Sequence, residues 1–458
     1  MKDTNNKELI NDFTTGNVTG RLIKFASPLF LGNMLQVVYN MVDMMIVGNV
    51  IGKAGLSAVS IGGDLNNLLT FIAMGFTNAG TIIISQYIGA GQRRNVGRFI
   101  GTFTLSLTFF ALVMTVISAL LHENILTWMN TPPEAYGEAK AYCLTCILGL
   151  IFIYGYNAVA GVLRGMGDSR HPFIFIAIAA VLNIVLDCVF VIGFHTGAFG
   201  AALATVISQG FSFIAAVVFL TRNRARLGFE MDRSCFAIDK GMLGTMVKLG
   251  VPMALKSTSV AFSKMFVNSY INAFGVTVSA VTGVGSKLNH MIAQCSNAFN
   301  TAGAAMVGQN IGAEKYERVP RILISDFCIM AVVGAVCSAV LVLFPNEIFG
   351  LFTKDPDVLK VCMEFIPVAI VIFIGSAFRA PSNALSNGTG NFVVNFAIAI
   401  LDAIVIRIGL ALLLGVYFNM GYLGFWFGDA FAGFTPFVIG SVFYLSGKWK
   451  TNKYVIKK

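Results

Sequence analysis

Long apolar runs separated by short polar turns follow one another along nearly the whole chain. Twelve of them are centred near residues 35, 72, 108, 150, 183, 209, 259, 294, 331, 371, 403 and 433. A helix needs roughly 20 residues to cross a hydrocarbon core about 30 Å thick, and each run meets that length. Several are longer and contain Pro or Gly, which suits tilted or bent helices. The pattern predicts an all-α polytopic membrane protein.

The pattern also repeats. Gln86-Tyr87-Ile88-Gly89-Ala90-Gly91, running to Arg98, recurs as Gln309-Asn310-Ile311-Gly312-Ala313-Glu314, running to Arg321. The offset that carries Gln86 to Gln309 also maps Gly52 to Gly275, Ile125 to Ile348, Pro133 to Pro356 and Gly165-Met166-Gly167 to Gly388-Thr389-Gly390. One position of slip pairs Pro28 with Pro252 and Gly200 with Gly424. A single offset held over this distance means two copies of one unit, with six spans in each. An even number of spans gives both copies the same orientation. The expectation is therefore two six-helix bundles related by a pseudo-two-fold axis along the membrane normal, with a cleft between them, the usual plan of a secondary transporter.

Five segments follow: residues 1–20 as a cytoplasmic N-terminal stretch, 21–221 as the N-lobe, 222–243 as a charged cytoplasmic linker, 244–446 as the C-lobe and 447–458 as a cytoplasmic tail. The N-terminal stretch is polar, and no removable signal peptide is expected. Only 12% of residues are charged and 56% are hydrophobic, far from a soluble domain. Lys and Arg gather on one side: 23 fall on the side of the two termini and four, Lys53, Lys140, Lys354 and Lys360, on the other. That bias predicts both termini in the cytoplasm and an integral plasma (inner) membrane location. The net charge of +10 then reports topology and affinity for anionic lipid, with no nucleic-acid partner expected.

Several chemistries are excluded. No phosphate-binding G-x-x-x-x-G-K-[ST] loop, H-E-x-x-H zinc motif or G-x-S-x-G elbow occurs. Cys143 and Cys146 form a C-x-x-C within a span, with no second pair or nearby His, and read as packing residues. No enzyme activity and no cofactor is expected.

Carboxylates in hydrocarbon cost several kcal/mol unless protonated, paired or wet, so they mark function. Asp43, Asp187, Asp402 and Asp429 fall within spans, and Asp64, Asp326 and Glu364 nearer span ends. Tyr39 stands one turn before Asp43 and Asn183 one turn before Asp187, each on the same helix face. Two carboxylates, an amide oxygen and a phenol from spans one and five could take up a proton. With Thr205 from span six, the oxygens of Asp43, Asn183 and Asp187 could instead hold Na⁺. Residue types alone leave that choice open, and no other metal is expected.

Lys24-Phe25-Ala26-Ser27-Pro28, Val42-Asp43 with Val47-Gly48, the Gln86 block, Leu163-Arg164-Gly165-Met166-Gly167-Asp168-Ser169 and Asn183-Ile184-Val185-Leu186-Asp187 together carry a family resemblance. Over essentially its whole length the chain resembles multidrug and toxic compound extrusion (MATE) transporters. The resemblance implies a twelve-helix antiporter exporting organic, often cationic or amphipathic compounds against inward H⁺ or Na⁺ by alternating access. In the branch with an N-lobe carboxylate site, the coupling residues match Tyr39, Asp43, Asn183, Asp187 and Thr205, with Asn157 on span four a further candidate. Another branch carries a Glu in span seven, eight positions after the proline; here that position is Val260.

The second copy is instead basic, with Lys256, Lys264, Lys287, Arg379 and Arg407 in or near its spans. Such groups can snorkel or pair with Asp402 and Asp429. Alternatively Lys256, Arg379 and Arg407 line a substrate cavity favouring anionic or zwitterionic compounds. A lipid-linked saccharide flippase of the same superfamily is the second functional expectation. Small-molecule substrates and membrane lipid are the expected partners, a monomer the expected state, and Pro28 the expected flexing point of span one.

Overall fold

In the computed structural model, residues 9–229, 235, 237–451 and 455 are described, and among them every regular element is helical. The linker residues 230–234 and 236, the tail residues 452–454 and 456–458, and residues 1–8 lie outside that description. The elements in order are α1 (Val18–Ile51), α2 (Lys53–Gly89), α3 (Arg93–Trp128), α4 (Pro133–Leu148), α5 (Leu150–Gly165), α6 (Arg170–Asp187) and α7 (Gly197–Arg222). There follow α8 (Lys240–Asn272), α9 (Val276–Gly312), α10 (Val319–Leu343), α11 (Pro345–Gly350), α12 (Pro356–Gly388), α13 (Phe392–Ile400), α14 (Arg407–Leu412), α15 (Gly421–Ala432) and α16 (Thr435–Leu445).

Among the described residues, nine helical stretches are long and apolar enough to cross a membrane, and a tenth when α4 and α5, bent by 46° at Gly149, count as one. At the bend the chain packs closely on α7, where a side chain at Gly149 would collide with Val206. α8 and α9 complete the twelve. They miss the apolarity test because Lys248, Lys256, Lys264, Lys287 and several Ser and Asn interrupt them. Exposed Leu120, Phe109, Trp128, Val181, Val332 and Tyr417 give the bundles the apolar exterior that lipid requires.

The duplication is visible in the backbone. Gly91 turns with φ +70° between α2 and α3, and Glu314 does the same at φ +57° between α9 and α10. Only Gly adopts that conformation without penalty, so the second copy carries a small strain. The Gly-rich turns also correspond. Asp168 accepts from the amides of Arg170 (3.1 Å) and His171 (3.2 Å) at the start of α6. Asn391, its match in the second copy, accepts from those of Val393 (3.1 Å) and Val394 (3.2 Å) at the start of α13. A π-helical turn follows α6 at Cys188–Gly193, and its counterpart is Leu413–Tyr417.

Two compact units emerge, residues 1–11 with 31–250, and residues 12–30 with 251–458. The expected lobe boundary inside 222–243 differs from these cuts, which fall beside Pro28 in α1 and Pro252 in α8. The first unit closes on Val47, Val59, Leu69, Tyr142, Ile147 and Tyr154. The second has one core around Phe299, Met306, Ile322 and Trp449 and another around Phe365, Phe373, Phe425 and Trp426. Phe13, Leu22, Phe25 and Ala26 belong to that first core of the second unit. The leading turns of α1 are held there by Thr19, whose hydroxyl is 2.8 Å from that of Ser325 on α10. The amide of Phe13 donates to Gln309 Oε1 at 2.9 Å. In the first unit, Thr102 of α3, which matches Ser325, accepts from the amide of Asp239 at 3.1 Å just before α8. Arg98 pairs with the Asp239 carboxylate at 3.3 Å.

Candidate functional site

In the first unit, α1, α6 and α7 bring one polar group together inside an otherwise apolar bundle. Tyr39 and Asp43 sit one turn apart on α1, and Asn183 and Asp187 one turn apart on α6; all four are buried, Asp187 completely. The two carboxylates lie within electrostatic range of each other. Asn183 Nδ2 reaches Thr205 Oγ1 on α7 at 3.4 Å. What distinguishes the group is unused acceptor capacity. Asp43 Oδ1, Asn183 Oδ1 and both Asp187 oxygens are buried with no hydrogen-bond donor. Native interiors rarely leave such atoms unpaired, and each costs about 1–3 kcal/mol or more when charged. Four such acceptors could hold a small cation.

Local structure explains the placement. Asp187 ends regular α6, and the π-helical turn beginning at Cys188 re-aims the chain. Such turns concentrate at functional sites because they break the ladder locally. Tyr142 on α4, buried and within electrostatic range of both Asp43 and Asp187, is a neighbour that sequence reasoning missed. A lone aromatic in an apolar run gives no signal. Cys143 and Cys146 are free thiols buried in the same core. Asn157 spends its amide on its own helix, donating to Ile153 O at 2.8 Å. Pro28 lies within α1, where it removes one helical hydrogen bond.

The basic residues of the second unit divide. Arg407 is buried, with its guanidinium bridging Asp402 Oδ1 at 3.1 Å and Asp429 Oδ1. Arg379 Nη2 meets the other Asp402 oxygen at 2.5 Å. Arg407 thus sits in an ion network instead of facing a cavity, because two carboxylates on the π-helical turn Leu401–Ile406 and on α15 enclose it. Lys256 Nζ donates to the neutral Asn383 Oδ1 at 2.5 Å. A cavity opens nearby, lined by Lys264, Asn268, Asn289, Phe365, Trp426 and Asp429 among others.

Asp326, expected nearer a span end, stands in the leading turns of α10. It is wholly buried on α10, with both carboxylate oxygens unpartnered. A side chain at Gly303 of α9 would approach Asp326 Oδ2 to 3.2 Å. In the first copy these residues match Gly80 and Phe103, and a side chain at Gly80 would strike the Phe103 ring at 2.5 Å.

The MatE family profile matches residues 28–189 and again residues 252–431, once in each copy. The chain belongs to the MatE family. Among its relatives is the "Probable multidrug resistance protein YpnP" of Bacillus subtilis, 28% identical over 98% of this chain and 99% of that protein. Solved structures of MATE transporters share the fold. One, a MATE protein in the bent conformation, aligns with a TM-score of 0.88 at 20% identity over 96% of this chain and 97% of that one. Another is a MOP superfamily transporter from Pyrococcus furiosus, described as having a binding pocket of reversed polarity that suggests a different function. It aligns with a TM-score of 0.87 at 20% identity over the full length of both chains. The MatE membership makes the chain a membrane transporter of the multidrug efflux kind, and the unpartnered oxygens of α1 and α6 become its leading site.

Proposed function

We propose that this MatE protein is a secondary active exporter of amphipathic organic compounds, cationic ones included, driven by inward H⁺ or Na⁺ and working by alternating access. The observation that carries the coupling is the set of four buried acceptor atoms on Asp43, Asn183 and Asp187, met by no donor. A bound proton or Na⁺ removes the cost of holding those carboxylates out of water. Thr205, with Tyr39 beside Asp43, completes the oxygen set for Na⁺. Neither the efflux nor the coupling calls for a cofactor, nucleic acid or second subunit. Both termini are cytoplasmic in this reading, on the strength of the Lys and Arg bias.

Coupling requires the cation to prefer one arrangement of the transporter. Moving a population from 1:99 to 99:1 takes about 5.5 kcal/mol of differential binding. Relieving unpartnered carboxylates in a low-dielectric bundle is worth several kcal/mol, the same order. Occupancy at Asp43 reaches the rest of α1 through its own backbone, and Pro28 supplies the weak point at which the helix bends.

Efflux from proteoliposomes under separately imposed pH and Na⁺ gradients tests this, comparing wild type with Asp43→Asn and Asp187→Asn. Ethidium and salicylate serve as cationic and anionic probes. Each variant should lose gradient-driven efflux, and gradient-driven efflux retained in both would defeat the assignment. The flippase reading draws on the excess of basic groups in the second unit. It would gain if lipid-linked saccharides moved and neither soluble probe did.

A further inference from the structure

Four cations, Lys256, Lys264, Arg379 and Arg407, lie within electrostatic range of only two anions, Asp402 and Asp429. Arg379 and Arg407 share Asp402 and Asp429, and those contacts occupy both oxygens of Asp402 and Oδ1 of Asp429. Two cations remain. Lys256 is satisfied only by a neutral amide oxygen, and among the described residues Lys264 forms neither an ion pair nor a hydrogen bond. Lys264 lies two turns after Lys256 on α8, roughly 12 Å along the axis. An ammonium within a membrane span is costly without a counter-charge, and proteins keep such groups where a ligand supplies the partner.

The surroundings of Lys264 are built accordingly. The cavity has a polar part, with Asn268 and Asn289 beside Lys264, and an aromatic wall of Phe365 and Trp426. The two rings meet edge to face with centroids 5.1 Å apart. Trp426 Nε1 donates to Thr282 Oγ1 at 2.9 Å, which fixes the indole and leaves its face apolar. Asp429 also reaches the cavity, within electrostatic range of Lys264, and shares its charge with Arg407 through Oδ1.

We infer that this cavity, within the second unit, binds the anionic group of an amphipathic substrate, a carboxylate or phosphate held by Lys264 with Asn268 and Asn289, its apolar part against Trp426 and Phe365. The inference rests on the exporter reading and adds a substrate class to it. A free organic acid and a lipid phosphate share this chemistry.

The test uses the full chain in phosphatidylcholine nanodiscs and equilibrium dialysis with labelled salicylate, with ethidium as the cationic comparison. Wild type should bind salicylate saturably. Lys264→Gln should weaken that binding at least tenfold, Lys264→Arg should restore it to within threefold, and ethidium binding should stay within twofold throughout. If Lys264→Gln fails to fold, Asn289→Asp, which adds a carboxylate to the cavity wall, should weaken binding similarly. Nanodiscs containing phosphatidylglycerol separate the sources. Loss of salicylate binding there, dependent on Lys264, identifies lipid phosphate as the occupant, and undiminished binding identifies the soluble acid. Absent saturable anion binding, or affinity indifferent to Lys264 and Asn289, overturns the inference. That failure is distinct from failure of the exporter reading, which is decided by gradient-driven efflux in the Asp43 and Asp187 variants.

Discussion

Asp326 fills in the second unit the slot beside a helix α9 glycine that Phe103 fills beside Gly80 in the first. Duplication has kept the space and exchanged an aromatic ring for a carboxyl group. No donor meets either oxygen of Asp326, and its surroundings include Met330 and Ile322 of the apolar core.

Asp326→Leu should therefore stabilise the protein, by about 1–3 kcal/mol, the cost of an unmet buried polar group. Thermal unfolding in detergent would register it as a higher Tm. A lower Tm would mean that the carboxyl group has a partner worth more than the apolar packing of the new leucine.

Gly80→Ala should destabilise, by about 1–3 kcal/mol, since the new methyl meets the rigid Phe103 ring. Phe103→Leu introduced with it should recover most of the loss. If the single variant matched wild type in the same unfolding experiment, the close fit would be absent in solution.

Thr205→Val distinguishes the two coupling ions. A carboxylate takes a proton without help from a hydroxyl, whereas Na⁺ needs each oxygen it can collect. Under a Na⁺ gradient the variant should lose about tenfold in apparent affinity, equivalent to about 1.4 kcal/mol. Proton-driven efflux should be little changed, and Thr205→Ser should behave as wild type in both. Equal loss under both gradients would remove Thr205 from the ion site.

Asp402→Asn should be among the most damaging single changes in the second unit. It leaves Arg379 and Arg407 short of a buried counter-charge, a loss of about 3–5 kcal/mol. The exposed pair Arg98–Asp239 sets the scale at the other end, and Arg98→Ala should cost under about 1 kcal/mol. The fraction remaining monodisperse after detergent extraction and heating would rank the two, and a reversed ranking would contradict the network.

Much of this is legible in the residues. Twelve apolar runs become twelve helical spans, because in hydrocarbon the backbone has no alternative partner. Even α8 and α9, too polar for a composition test, are placed by the repeat. Asp43, Asp187, Asn183 and Tyr39 stand out because a one-turn spacing on a periodic helix puts side chains on one face. The ion network is harder to read. Arg407 and Asp429 stand on different helices, and between them lies a π-helical turn whose extra residue shifts the face of everything after it. Asp326 is read near a span end, where α10 carries it, but its complete burial depends on packing against α9, which residue types alone do not give. Lys264 looks like any snorkelling lysine until Asp402 and Asp429 prove to be shared with Arg379 and Arg407.

The straps at Thr19 and Asp239 bear on the order of events during synthesis. Phe13, Leu22 and Phe25 emerge early, yet the core they complete is made of residues beyond 250. Residues 240–250 emerge at mid-chain and complete the unit made before them, with Met246 and Leu249 buried. Each copy is thus finished by a piece of helix encoded in the other. Cutting the chain between residues 229 and 237 would yield two fragments that are each missing part of their own interior. The ancestral duplication thus left each half of the sequence without a complete interior of its own.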